Sequence, residues 1–71
     1  MSNEHIERMK SEYKELGVKI DALNSFIHSN PIFKTLCYLE QVRMIKQVGH
    51  MESYLQILDA RIWTANDKQI N

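Results

Sequence analysis

The chain is poor in the residues that staple or interrupt a small fold: its 71 residues include one cysteine, one proline and two glycines. A single thiol, Cys37, excludes an intramolecular disulfide and suits a reducing compartment. Net charge is also lacking. Lys plus Arg number nine and Asp plus Glu number nine, so the molecule has no overall field to attract duplex nucleic acid, and any anion site must be local. No stretch approaches the roughly 20 consecutive apolar residues that a membrane span requires. The first ten residues, MSNEHIERMK, hold no apolar run, so no secretory signal is expected and the expected location is the cytoplasm.

Chemistry-bearing spacing is absent as well. His5, His28 and His50 stand far apart, and none has a His or Cys three or four residues away, which argues against a zinc or di-iron site. There is no glycine-rich phosphate loop, no Ser or Cys nucleophile within a signature, and no pair of carboxylates in an apolar setting. The expectation is a protein that is not an enzyme and carries no metal or cofactor.

What the sequence does contain is helical periodicity. Ile6, Met9, Tyr13, Leu16, Ile20, Leu23 and Ile27 step alternately by three and four, the seam that one helix presents to another. Asn3 is placed to cap this helix, Glu4 and Glu7 fall in its first turn, and Glu4 precedes Arg8 and Glu15 precedes Lys19 by four residues. Ser29-Asn30-Pro31 then signals a stop near His28, because proline pushes the preceding residue out of the helical region. Asn30 as cap with Pro31 at the first helical position opens a short turn, PIFKTL, with Ile32, Phe33 and Leu36 expected to point inward. Cys37 to Glu40 has capping-box spacing, with a thiol in the cap position.

The stretch from Glu40 to Trp63 carries a second seam, Met44, Val48, Met51, Leu55, Leu58 and Ile62, and a flanking row, Val42, Ile45, Tyr54 and Ile57. One partner helix cannot cover both rows, and a lone domain this short buries little surface. Self-association is therefore expected. Gly49, in mid-helix, suggests that another helix crosses close by. The predicted architecture is all-α: a hairpin with a helix over about 4–28, an elbow over 29–37, a helix over about 38–63 and a frayed tail over 64–71, assembling into a compact homo-oligomer.

Two polar groups are candidates for holding a small anion. Lys10, Tyr13 and Lys14 lie on adjacent turns of the first helix and put an aromatic face beside two ammonium groups. At the elbow, His28, Ser29, Asn30, Lys34 and Thr35 gather polar groups next to a helix N-terminus, where a phosphate is readily held. Each group also has an ordinary explanation, since Tyr13 is in the seam and turns are built from such residues.

A KIxxLxxFIxSxxxF segment, here Lys19-Ile20, Leu23, Phe26-Ile27, Ser29 and Phe33, continues through Glu40-Gln41, Met44, Met51 and Tyr54 to an ILxxRI ending, here Ile57-Leu58, Arg61 and Ile62. In this order of residues, about two-thirds of the chain resembles the anti-CBASS cyclic nucleotide sponges, small phage proteins that antagonise cyclic-oligonucleotide anti-phage signalling. Cys37 departs from the pattern, where such proteins tend to have Ser. The resemblance implies a helical hexamer in the host bacterial cytoplasm that binds cyclic dinucleotides between protomers, and in some members cyclic trinucleotides at separate sites, without cleaving them. It also implies Tyr13 as the base-stacking residue, Lys34 as the phosphate partner with Lys10 or Lys14 as substitutes, and Arg61 at a trinucleotide site. Two other classes fit the residues. One is a structural or adaptor coiled coil that takes a partner helix along Met44 and Met51; the other is a small regulator acting on a host protein.

Overall fold

The computed structural model describes the backbone of residues 3–70 and the side chains of residues 3–66. It is an antiparallel helical hairpin: α1 (Glu4–Ser29), a 3-10 turn (Pro31–Thr35) and α2 (Tyr38–Ile70). Among the described residues there is no strand.

Each boundary has a local cause. Asn3 stands at the N-cap of α1, and its carbonyl accepts the Glu7 amide at 2.9 Å. At the other end the helix closes when Asn30, in extended conformation, donates its amide to the Phe26 carbonyl at 3.2 Å. Asn30 then caps the 3-10 turn as expected, its Oδ1 accepting the Ile32 amide at 2.9 Å, with Pro31 entering behind it. The first turn of α2 is built differently from a capping box: Glu40 pairs with Arg43 at 3.6 Å, and it is Gln41 whose amide reaches the Cys37 carbonyl at 3.0 Å.

The two seams meet along the hairpin. Ile6, Met9 and Ile20 of α1 and Val48 and Leu58 of α2 are buried, and Phe33 is buried at the elbow end. Leu58 is wholly enclosed and packs in one cluster with Ile6 and Met9, which Ile62 and Ala65 flank. At the elbow the Phe33 ring stands edge-on to Phe26 with centroids 6.2 Å apart, a favoured aromatic geometry.

Three expectations need correction. The second helix runs past Trp63 to Ile70, so residues 64–70 are helical where fraying was expected; Asn71 lies outside the described residues. TANDKQI holds neither Gly nor Pro, and Ala65 sits against the Ile6 cluster, which gives the extra turns something to pack on. Ile32 does not point inward: it is 56 % exposed, because only one side of a 3-10 turn can face the hairpin, and Phe33 takes it. Gly49 has open space around it within the hairpin, so α1 is not the close-crossing helix.

The flanking row behaves as its position suggests. Ile45, Tyr54 and Ile57 are exposed and Val42 half-buried. The hairpin extends 52 × 14 × 14 Å with a radius of gyration of 16.0 Å, against about 11 Å for a compact domain of this length. Its accessible surface is 5637 Å², where a compact monomer of 8.4 kDa would show about 4,600 Å². No helix among the described residues is long and apolar enough to cross a membrane.

Candidate functional site

The candidate residues fall on three places along the rod. The first is the elbow. Lys34, His28 and Ser29 are exposed there. The remaining elbow groups serve the turn itself: Asn30 Oδ1 takes the Ile32 amide, and the Thr35 hydroxyl donates to the Ile32 carbonyl at 2.6 Å. The opening amides of the 3-10 turn are likewise engaged. Pro31 has none, Ile32 donates to Asn30 Oδ1, and Phe33 donates to the Asn30 carbonyl at 3.1 Å. A phosphate at this elbow would therefore meet side chains, Lys34 first, rather than a ring of free backbone donors. A shallow hollow of about 450 Å³ lies beside it, bordered by Ser25, Phe26, Ser29 and Asn30.

The second place is the outer face of α1. Lys10, Tyr13 and Lys14 sit on successive turns as the spacing requires. Tyr13 is 37 % exposed, at the rim of the seam, so one ring serves the hairpin while part of its face remains open. Lys10 pairs with Glu7 at 3.7 Å on a wet surface, an interaction a stronger anion can displace at small cost.

The third place is the end opposite the elbow. Arg61 lines an open groove of about 670 Å³ with His5, Ile6, Met9, Ile57 and Thr64, mostly apolar along its floor. One helical turn before Ile57, the Tyr54 hydroxyl donates to the Glu12 carboxylate, joining α2 to α1. That hydrogen bond raises the Tyr54 phenol above its ordinary value, with smaller contributions from desolvation and from the Glu12 charge, while the Arg61 guanidinium pulls it back down.

The hairpin does not bring these places together. At 1.5 Å per residue, Tyr13 and the end of α1 are separated by about 24 Å, and the start of α2 and Arg61 by about 35 Å. Lys34 and Tyr13 of one protomer therefore cannot hold opposite sides of one small ligand. Two side chains near these places have structural roles that the sequence pattern does not assign, although Gln41 is named in the resemblance. Gln41 reaches the Leu36 carbonyl at 2.8 Å and the Lys34 carbonyl at 3.5 Å through Nε2. Glu12 lies one residue off the first seam and meets Tyr54 of the flanking row. The signal available for the second was a carboxylate beside one seam and a phenol beside the other.

Comparison with known proteins adds the following. The pattern of the family described as Sequestin matches residues 3–64, which include Tyr13, Lys34, Gln41 and Arg61. The chain is also similar to the "Uncharacterized 7.5 kDa protein in denB-rIIB intergenic region" of Enterobacteria phage T4, at 40% identity over 55 residues, 78% of this chain and 84% of that protein. No solved structure matches.

Proposed function

The chain belongs to the Sequestin family, and from that premise we propose that it is a phage immune-evasion sponge, which binds cyclic dinucleotide second messengers, and cyclic trinucleotides at a second site, and releases them unchanged. The observation that carries this reading is the family match, which spans 3–64 and so takes in all three places where the hairpin exposes ligand-type residues. The family's name denotes sequestration, and its similar protein from phage T4 fits an origin in a phage.

The physical layout supports an assembly as the working form. The rod shows about 1,000 Å² more surface than a compact chain of its mass, comparable to the roughly 800 Å² that each partner contributes to a standard interface. Ile45 and Ile57 lie on that surface. Packing copies of the rod against one another would cover this row, and the reading requires a packing that sets Tyr13 of one protomer near the elbow of another. A cyclic dinucleotide has two bases and two phosphates; an aromatic face from one copy and a lysine from the next match those groups. A homohexamer is the assembly this reading takes, within the host cytoplasm.

The test is a thermal-shift panel of cyclic dinucleotides, cyclic trinucleotides and linear nucleotides, followed by calorimetry on the hits. Cyclic ligands should raise the melting temperature and linear ones should not. Ligand released by heating should be recovered intact and in full. Linearised product in proportion to protein would move the chain to the nucleases, and a panel without a hit would leave the adaptor reading in its place.

A further inference from the structure

The elbow that carries Lys34 is pinned at three points. Asn30 Oδ1 holds the Ile32 amide at 2.9 Å, and the buried Phe33 ring rests edge-on against Phe26. These two tie the turn to itself and to α1. The third pin comes from the other helix: Gln41, half-buried in the first turn of α2, donates Nε2 to the Leu36 carbonyl at 2.8 Å and lies 3.5 Å from the Lys34 carbonyl. A carboxamide suits this place because one nitrogen carries two N–H donors and can address two carbonyls at once.

We propose that Gln41 is a positioning residue for Lys34, fixing the backbone from which its ammonium reaches an anionic ligand. The inference rests on the sponge reading for the ligand, and on the hydrogen bonds alone for the geometry. Without the carboxamide, the Lys34 and Leu36 carbonyls lose their side-chain donor, and the stretch is left with the 3-10 turn's own backbone bonds, the Leu36 amide to Phe33 carbonyl bond of 3.2 Å and the Thr35 hydroxyl. The lysine stem is flexible in either case, so the effect is one of degree: a less ordered anchor means more freedom lost on binding.

The variant is Gln41→Met, which keeps length and helix propensity and removes both donors. Circular dichroism and light scattering should match the parent. In the ligand-free protein, exchange of the Leu36 amide should quicken several-fold, while amides in the middle of α1 stay as they were. With the cyclic dinucleotide that binds the parent tightest, affinity should fall by about fivefold to tenfold, the scale of ordering one side chain. In a Lys34→Ala background the same change should cost under about twofold, because a positioning residue has nothing left to position. Equal losses in both backgrounds, or an unchanged Leu36 exchange rate, overturn the role of Gln41 alone. A parent that binds no cyclic nucleotide overturns the sponge reading, and the role with it.

Discussion

The Tyr54 hydroxyl donates to the Glu12 carboxylate, joining the flanking row of α2 to a residue adjacent to Tyr13 on α1. The bond is exposed, so its consequence is best read in titration rather than in bulk stability. A carboxylate acceptor favours the protonated phenol, and the Tyr54 value is raised. For a group whose folded value is raised, the stabilising contribution is complete below the unfolded value and is lost as pH climbs through the folded one. Ultraviolet titration, with Tyr54→Phe to identify the step, should therefore show Tyr54 ionising above its ordinary value. Glu12→Gln should bring that step back down. A Tyr54 step that does not move on Glu12→Gln would contradict the contact.

The exposed flanking row predicts assembly that a single charge can weaken. Light scattering of the purified chain should give several times the 8.4 kDa chain mass. Ile45 is 52 % exposed in the hairpin, so Ile45→Glu should leave the protomer's helicity intact while lowering the assembled mass. A folded monomer for the parent at micromolar concentration would refute the assembly.

Gly49 supplies a third measurement. Beyond its chain neighbours and the backbone of its own helix, no atom lies within 4 Å of a methyl group placed on it, and alanine is favoured over glycine in a helix interior by about 1 kcal/mol. Gly49→Ala should raise the melting temperature by about 4–8 °C. A fall in melting temperature together with a smaller assembled mass would instead put a neighbouring protomer against this position.

Ligand contact is testable at the two ends of the proposed pocket. Base stacking is worth about 1–3 kcal/mol, and a hydrogen bond to a charged group about 1.5–3 kcal/mol. Tyr13→Ala and Lys34→Ala should each weaken cyclic dinucleotide binding by about tenfold to a hundredfold, while Tyr13→Phe keeps the ring and most of the affinity. Calorimetry showing both alanine variants assembled and binding like the parent would place the pocket elsewhere.

The hairpin itself was legible because its causes are local. A step of three and four along Ile6 to Ile27 and along Met44 to Ile62 fixes which face of each helix is buried, and Asn30-Pro31 fixes where the chain turns; neither depends on anything distant in sequence. The row left over on α2, and with it the expectation of partners, follows from the same count.

Register and reach were decided only by the fold. Whether Glu12 meets Tyr54, and whether a glutamine rather than the glutamate beside it holds the elbow, depends on how two helices sit against each other, which periodicity leaves open. The packing of Ala65 on the Ile6 cluster, within a helix that runs on to Ile70, was likewise beyond the periodicity. The separation of Tyr13 from the elbow by most of a helix length is the fold's largest addition. On the proposed reading, Tyr13 and Lys34 can therefore meet one small ligand only from two protomers, because a rigid helix fixes the distance between residues that the sequence merely orders.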